Sequence, residues 1–362
     1  MRVEHLEAKN FRNLEPLSLA IAPGFVVVQG NNAQGKTNLL EALYVCATGK
    51  SFRNAAPKEL VRSGEEGGKL TAIFQRQSVR HQVEVTLNGS RRTVRVDGRG
   101  MRKTSQLLEL VNVVAFFPDD LRIIKGSPEE RRRFMDRAVA NYRVELVEAA
   151  SAYDKALRSR NRILKEHDNP SPTLLEVFDE QLIQYGEVIQ RCRREVMNEI
   201  ADLTRSIFEE LMGVSFAVDL DSGIPELDDG RFSDSFREAL SKNFSRDRAR
   251  RSTSVGPHRA DLLVHVDGFD ARSFASQGQQ RASVLALKLA EVKTLAKMLD
   301  SPPILLLDDV SSELDTARTE ALFSAVEQTG SQVWVSTTGS APLPLPEDSQ
   351  RLFMSAGALT TN

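Results

Sequence analysis

The sequence predicts an α/β protein with a P-loop mixed sheet, an antiparallel β subdomain and a smaller helical lobe. A glycine-rich loop stands between an apolar run, Phe25–Val28, and a segment of helical composition, residues 38–44. Apolar and polar residues alternate on both sides of an Asn88-Gly89 turn signal, which is typical of an antiparallel hairpin. Two long amphipathic runs meet at a short proline-rich segment, a pattern that predicts an antiparallel helical hairpin.

The glycine-rich loop has the P-loop pattern Gly-x4-Gly-Lys-Thr in its strand–loop–helix context. It consists of Gly30, Asn31, Asn32, Ala33, Gln34, Gly35, Lys36 and Thr37. Its glycines permit backbone angles that a Cβ atom would block, and successive N–H groups at the helix N-terminus would face phosphates. Lys36 would reach the β- and γ-phosphates, and the Thr37 hydroxyl would hold Mg²⁺. We therefore expect the chain to bind a nucleoside triphosphate.

Bulk composition excludes several classes of protein. The 362 residues are 41% hydrophobic and 27% charged, with a net charge of −2, so any nucleic-acid surface would be a local patch. No apolar run is long enough to span a bilayer, and the first ten residues are too charged for a signal peptide. Cys46 and Cys192 match no metal-binding spacing. These features predict a cytoplasmic protein without a membrane partner.

Two segments of the N-terminal part are candidate contact surfaces. Arg12 and Asn13 lie in a turn between a predicted strand, Val3–Ala8, and the P-loop strand, where they could reach the nucleotide or simply form a β-turn. The predicted strands of residues 69–103 are rich in arginine, and the acidic residues opposing them are Glu84 and Asp97. This arginine-rich pattern indicates a surface that contacts the DNA phosphate backbone, in preference to a charged face that contacts only water. Its basic residues are Arg76, Arg80, Arg91, Arg92, Arg95, Arg99, Arg102 and Lys103.

The middle of the chain is predicted to be helical. Ser127-Pro128-Glu129-Glu130 is a strong helix start, and apolar spacing continues from there to residue 157 as a single helix. A second helix, which follows the proline-rich segment, carries apolar residues from 178 to 211 and ends at Gly213, would be about 60 Å long at ~1.5 Å per residue, with Gly186 as a candidate kink. Residues 256–261 follow as a loop with His258, Arg259 and Asp261, which are either structural or contact DNA, nucleotide or a partner subunit.

The second half of a nucleotide site is predicted near the C-terminus. Ser276, Gln277, Gly278 and Gln279 precede a helical run, where they would offer a hydroxyl and N–H groups to an anion. The apolar strand that follows ends in Asp308 and Asp309. Asp308 would hold Mg²⁺, and Asp309 would orient or deprotonate the attacking water. Ser312–Asp315 and the hydroxyls after Val335 complete this set.

The order of these motifs resembles the ABC-type ATPase head. The resemblance implies a discontinuous ATPase lobe, residues 1–125 and 252–362, with a helical arm lobe, residues 126–251, inserted in it. Three departures from the ABC pattern stand out. Asp309 replaces the usual glutamate. No glutamine stands at the Q-loop position, where Asp119 or Asp120 would substitute, and no switch histidine follows the last strand, where Thr337 or Thr338 would substitute.

A narrower resemblance is to the RecF family of bacterial recombination proteins. It is carried by residues 11–14, 30–37, 125–133, 256–261 and 277–281. It implies an ATP- and Mg²⁺-dependent, head-to-tail homodimer in which Ser276 and Gly278 of one subunit close on the γ-phosphate held by Lys36 of the other. It also implies binding of duplex and gapped DNA, cooperation with RecR and RecO in loading RecA, and slow ATP hydrolysis that resets the dimer.

Two other classes of ATPase share parts of this pattern. A transporter ATPase would drive a membrane partner, but the long insertion between Gly35 and Ser276 and the missing histidine argue against it. A chromosome organiser of the SMC type would need a much longer coiled coil than residues 126–251 can form.

Overall fold

The structure is a computed structural model that describes residues 1–360 except 102, 104, 168–170, 226–230, 300, 310–315 and 340–342. The chain forms two compact units, one of Met1–Asp120 with Leu287–Asn362 and one of Leu121–Ala286. The second unit ends at Ala286, whereas the sequence placed its end at residue 251. The difference arises because the strand that begins at Asp261 pairs with a strand of the helical unit.

The first unit holds two sheets and their helices. Its elements are β1 (Arg2–Lys9), β2 (Leu17–Ala20), β3 (Phe25–Gln29), α1 (Lys36–Thr48), α2 (Pro57–Leu60), β4 (Gly67–Arg76), β5 (Val79–Asn88), β6 (Arg91–Val96), β7 (Arg99–Gly100), α3 (Ser105–Leu110), β8 (Val113–Phe116), β12 (Ile304–Asp308), α11 (Thr316–Glu327), β13 (Val333–Thr337), β14 (Gln350–Ser355) and β15 (Ala358–Thr360).

The mixed sheet of this unit has the strand order β15-β14-β3-β13-β12-β8, in which all neighbours are parallel except β14 and β15. Strands β12 and β13 are buried along their whole length, as expected for parallel strands covered on both faces. The P-loop follows β3, and Asp308 and Thr337 end β12 and β13. Parallel pairing brings these three carboxyl ends to one edge of the sheet, where ligands bind in open α/β sheets.

The second sheet is antiparallel throughout, with the order β2-β1-β4-β5-β6-β7. Its inner face contributes Leu6, Leu70, Phe74, Val83 and Val85 to the same core as Leu39 and Leu43 of α1. Because side chains alternate along a strand, the polar residues between these positions face outward. The predicted antiparallel subdomain is thus confirmed.

The second unit is mainly helical. Its elements are α4 (Arg122–Lys125), α5 (Pro128–Ala140), α6 (Glu145–Glu166), α7 (Pro172–Met212), β9 (Phe216–Asp221), α8 (Phe232–Arg250), β10 (Asp261–Val266), β11 (Phe269–Asp270), α9 (Ala271–Phe274) and α10 (Gln277–Met298), of which α10 continues into the first unit. Strands β9, β10 and β11 form a small antiparallel sheet. Among the described residues, no helix is both long enough and apolar enough to cross a membrane.

Helices α6 and α7 form the predicted antiparallel hairpin. Arg160, near the end of α6, binds Asp179, near the start of α7, and Glu145, at the start of α6, contacts Cys192, farther along α7. The two helices therefore run antiparallel. Helix α7 continues through Gly186, which the sequence had indicated as a candidate kink. A Cβ atom there would lie 3.2 Å from the Phe236 ring, so the glycine serves close packing.

The helix predicted from residue 128 to 157 is two helices, and the single-helix prediction is wrong. Helix α5 ends at Ala140, and α6 begins at Glu145. The intervening Asn141 and Tyr142 are weaker helix formers than the alanines and leucines around them. The apolar spacing continues across the break because α7 packs against both helices.

Candidate nucleotide site

The P-loop has the backbone geometry that phosphate binding requires. Gly35 has φ 107° and precedes Lys36, the first residue of α1. Because glycine offers no side chain to cap the helix, the first N–H groups of α1 can serve an anion. A Cβ atom on Gly30 would lie 2.3 Å from the backbone oxygen of Met354, so only glycine fits where the loop leaves β3.

Lys36 is folded back over the loop. Its Nζ atom donates to the backbone oxygens of Gly30 at 2.7 Å and Asn31 at 2.9 Å. Burial lowers the pKa of Lys36, and the nearby Asp309 and Asp308 oppose that shift. The ammonium group is therefore held in the loop by exchangeable carbonyl contacts, which a phosphate can replace.

Asp308 connects the P-loop helix with two strand ends. Its Oδ1 atom accepts hydrogen bonds from the Thr37 hydroxyl at 2.9 Å and the Ser336 hydroxyl at 2.7 Å. Burial raises the pKa of Asp308, while these two hydrogen bonds lower it. Asp309 follows with φ 50°, and its backbone N–H donates to the Ser336 hydroxyl at 3.0 Å. The structure thus brings together the predicted residues Lys36, Thr37, Asp308 and Asp309.

Lys36, Thr37 and Asp309 line a cavity of about 240 Å³, and Asp308 lies behind Thr37. The cavity lining consists of Asn32, Ala33, Gly35, Lys36, Thr37, Asn38, Arg53, Asp309 and Ser336. Pockets that bury a whole drug-sized ligand measure roughly 300–1,000 Å³, so this volume suits the phosphates of a nucleotide rather than the entire molecule.

The oxygen atoms of Thr37 and Asp308 fit a Mg²⁺ ion. They are hard ligands 2.9 Å apart, and Mg²⁺ is usually bound through one or two carboxylates together with phosphates and water. Among the described residues, no group of three or more His, Cys, Asp or Glu side chains could hold a metal ion. A Mg²⁺ ion held by Thr37 and Asp308 would take its other ligands from phosphates and water.

Arg12 and Asn13 do not line the cavity. The guanidinium group of Arg12 binds both carboxylate oxygens of Glu41, at 2.9 and 3.0 Å, and the backbone oxygen of Glu59. The Oδ1 atom of Asn13 accepts a hydrogen bond from Asn38 at 2.7 Å. Their direct contact with a nucleotide, which the sequence suggested, stays a prediction.

Arg53 is a cavity residue that the motif analysis missed. It donates to Asn38 Oδ1 at 2.8 Å and to Glu41 Oε2 at 3.3 Å, and its charge lowers the pKa of Asp308. One signal could have found it. The triplet Phe52-Arg53-Asn54 repeats Phe11-Arg12-Asn13.

The predicted signature segment lies in the second unit, at the start of α10. The Ser276 hydroxyl accepts a hydrogen bond from the Gln279 backbone N–H at 3.3 Å, and the Gln279 side chain accepts one from the Ser276 backbone N–H at 2.8 Å. These two hydrogen bonds form a capping box. Ser276 and Gln279 therefore stabilise the start of α10, whether or not they also bind a ligand. Gln277 and Gly278 lie in the first turn of α10. Ser312–Asp315 lie outside the described residues.

Other predicted positions have internal partners. Asp120 is buried and accepts from the Phe117 backbone N–H at 2.8 Å, and its carboxylate lies 3.6 Å from Lys288. The Thr337 hydroxyl accepts from the Gly339 N–H at 3.1 Å. Neither residue lines the cavity, so their assignment to the Q-loop and switch positions stays a prediction.

The loop of residues 256–261 is held from within the second unit. The Nε2 atom of His258 contacts the backbone oxygen of Thr253 at 3.1 Å, so it carries the proton, and Nδ1 then accepts from the Tyr153 hydroxyl at 2.8 Å. Asp261 accepts two hydrogen bonds from Arg131, at 2.6 and 2.8 Å. These contacts support the structural interpretation of the segment over a ligand-binding one.

Comparison with known proteins places this site in a defined class. Residues 2–360 match the family model described as the RecF/RecN/SMC N-terminal domain. The chain aligns with an SMC head bound to the C-terminal winged-helix domain of ScpA over 99% of its length with a TM-score of 0.57, and at 17% identity this likeness concerns the fold alone. The fold and the P-loop site therefore define an ATPase head of the RecF/RecN/SMC class.

More similar relatives narrow the class. The chain is 40% identical to the DNA replication and repair protein RecF of Myxococcus xanthus over 93% of its own length and 91% of that protein's. It is 36% identical to the RecF protein of Geobacter sp. strain M21, with 93% of each chain covered. A solved structure of the recombination mediator protein RecF with ATP matches with a TM-score of 0.90 at 29% identity, over 99% of this chain and 97% of that one. The chain belongs to the RecF family.

Proposed function

We propose that this chain is an ATP-dependent DNA-binding switch of recombinational repair and replication. The observation that carries the proposal is that Lys36, Thr37 and Asp309 line one phosphate-sized cavity and Asp308 binds Thr37 beside it, in a member of the RecF family. The relative whose structure was solved with ATP supports the identity of the nucleotide.

Each residue of the site would bind a different part of the triphosphate, its Mg²⁺ ion or the attacking water. Lys36 and the first N–H groups of α1 would bind phosphate oxygens. Thr37 and Asp308 would hold Mg²⁺, which neutralises phosphate charge when it is bound. Asp309 would orient the attacking water. Its side chain is one methylene shorter than the glutamate usual at this position and would hold the water less closely, which favours weak hydrolysis and a switch.

Dimerisation would link nucleotide binding to DNA binding. In the proposed head-to-tail homodimer, Ser276 and Gly278 of one subunit meet the γ-phosphate at Lys36 of the other. Ser276 is exposed, and its cap uses the hydroxyl oxygen as an acceptor, so the O–H can still donate to a phosphate. ATP binding would then stabilise the dimer, and hydrolysis would release it.

The outer face of the antiparallel sheet is the proposed DNA surface. Arg91 and Arg95 are exposed on β6 and lie opposite Asn88 and Glu84 of β5. Lys69 and Arg80 share this face but have acidic partners, Glu84 and Glu4. Arg92 is half-buried on the other face, and Arg102 lies outside the described residues. Arg91, which lies opposite the neutral Asn88, is therefore the strongest candidate for contact with phosphates, and Arg95, which shares Glu84 with Lys69, extends the same face.

The proposed setting is the bacterial cytoplasm, at single-strand gaps in duplex DNA. RecR would bind the complex, and together with RecO it would help to load RecA there. Relatives described as RecF of the RecFOR pathway support these partners. ATPase activity stimulated only by a membrane protein would instead favour the transporter alternative.

A pair of substitutions tests the DNA surface. For Arg91→Ala/Arg95→Ala, we expect ATP-dependent affinity for duplex DNA to fall at least tenfold, and the salt dependence of binding to weaken by roughly one counterion for each phosphate-binding arginine removed. The matched control is Arg205→Ala/Arg231→Ala, which removes two exposed arginines that bind Asp202 and Asp234. Equal effects in both double variants would show a general charge effect and contradict this surface.

A further inference from the structure

Glu41 of α1 is a fully buried carboxylate shared by two arginines. Arg12 binds it through two parallel hydrogen bonds, at 2.9 and 3.0 Å, and the Ser51 hydroxyl donates to it at 2.6 Å. Arg53 makes a single, longer contact of 3.3 Å. Glu41 stands four residues after Thr37, and side chains at this spacing lie on one face of a helix.

Arg53 connects this buried group with the phosphate cavity. It is the one of the two arginines that lines the cavity, together with Lys36, Thr37 and Asp309. Its other hydrogen bond goes to Asn38 Oδ1 at 2.8 Å, and Asn38 in turn donates to Asn13 at 2.7 Å. Glu41 therefore connects Arg12 with Arg53 by hydrogen bonds, and Asn38 connects Asn13 with Arg53 in the same way.

The charges of this cluster do not cancel. A buried carboxylate needs a positive partner, and the two-pronged contact of Arg12 already supplies one unit of charge in the geometry that guanidinium groups prefer. The second positive charge, on Arg53, is therefore not needed to neutralise Glu41, and it stands at the cavity wall near Asp308 and Asp309. Without Arg12, Arg53 would be the cation left in contact with Glu41, and the carboxylate would draw it inward.

We propose that Arg12 and Asn13 are positioning residues that keep the guanidinium group of Arg53 available to the phosphates. Arg12 does this by neutralising Glu41, and Asn13 by orienting Asn38. Neither touches the nucleotide. The inference rests on the proposed function, since it assigns the phosphates of a bound nucleotide as the ligand of Arg53.

ATP affinity in a set of variants tests this arrangement. Arg12→Ala and Arg53→Ala should each weaken ATP binding roughly tenfold, the effect of removing one charge-assisted hydrogen bond. Arg12→Ala/Arg53→Ala should bind within about twofold of Arg53→Ala alone, because residues that act through one group are not additive. Arg12→Ala/Glu41→Gln should recover affinity towards wild type, since the charge that captures Arg53 is gone.

Matched controls separate positioning from folding. Arg62→Ala removes an arginine of the same region that pairs with Glu15 and should leave ATP affinity unchanged. Arg12→Lys keeps the charge but cannot form the two-pronged hydrogen bond, so it should weaken binding less than Arg12→Ala does. Thermal unfolding of each variant establishes that the measured protein is folded.

The possible outcomes are distinct. Additive effects in Arg12→Ala/Arg53→Ala would show that Arg12 acts on the nucleotide independently of Arg53. No recovery in Arg12→Ala/Glu41→Gln would show that Glu41 does not capture Arg53. Either result would overturn the inference alone. A wild-type protein that binds no ATP would overturn both the inference and the proposed function.

Discussion

At the residue scale, His258 is a side chain whose role the sequence left open between structure and ligand contact, and its contacts in the fold favour a structural role. It is buried between Tyr153 of α6 and the backbone of Thr253. Burial lowers its pKa to about 4, and Arg259, Arg132 and Arg160 add to that shift, while the hydrogen bond to Thr253 opposes it. The imidazole is therefore neutral at pH 7.

The lowered pKa of His258 predicts a pH-dependent stability. In the unfolded chain His258 takes up a proton near pH 6.5, whereas in the folded chain it does so only near pH 4. The free energy of unfolding should thus fall as the pH drops from 6.5 to 4, by up to about 3 kcal/mol from this group. Urea unfolding at pH 7.5 and pH 5 measures it. A His258→Gln variant should lose less stability over this range, and an equal loss would contradict the assignment.

The nucleotide site shows which residues a sequence can reveal. Lys36, Thr37, Asp308 and Asp309 were predicted because each belongs to a motif whose spacing reflects phosphate or metal chemistry. Arg53 belongs to no such motif, and it reaches the cavity only because the chain turns back after α1. Arg12 was a candidate nucleotide contact because of its place in the turn before the P-loop strand, but the sequence carries no sign that the buried Glu41 lies between it and the cavity.

At the scale of elements, Arg160 joins three helices of the second unit. It is 1% exposed and binds Asp179 of α7 at 2.6 Å, Asp247 of α8 at 2.8 Å and the Thr253 hydroxyl at 2.9 Å. Asp247 is itself fully buried and also accepts hydrogen bonds from the backbone and side chain of Ser254. This ion pair fixes α6, α7 and α8 around the loop that leads to β10.

Breaking this buried pair should be costly. Arg160→Met leaves Asp247 buried without its cation, and we expect a loss of roughly 3–5 kcal/mol in the free energy of unfolding. The control is Arg158→Met, two residues away, where an exposed arginine pairs with Asp154 one turn earlier. That change should stay within about 0.5 kcal/mol. Similar losses in the two variants, measured by urea unfolding, would contradict a special role for Arg160.

Sequence periodicity predicted the hairpin of α6 and α7 because both helices bury a continuous apolar stripe. The same periodicity concealed the break between α5 and α6, since residues on both sides of it face the same partner helix. Propensity alone was too weak to mark the break, because Asn141 and Tyr142 are tolerated in helices elsewhere. Helix boundaries of this kind depend on tertiary packing.

At the scale of the whole molecule, the chain passes from the first unit to the second at Asp120 and returns at Ala286. The P-loop and Asp308 belong to the first unit, and Ser276 belongs to the second. The proposed switch combines them by pairing the cavity of one subunit with the signature segment of another. The sequence predicted both sets of residues but not the boundary, because the pairing of β10 with β9 is a long-range contact.

The central claim is that ATP binding creates a dimer that holds DNA. The most direct test measures molar mass and duplex-DNA binding together, with ATP, ADP and no nucleotide, on wild type, Ser276→Arg and the control Ser206→Arg, an exposed serine on α7. We predict dimerisation and DNA binding only with ATP, both abolished in Ser276→Arg and kept in Ser206→Arg. A protein that binds DNA equally well as a monomer without ATP, or a Ser276→Arg variant that behaves as wild type, would contradict the account.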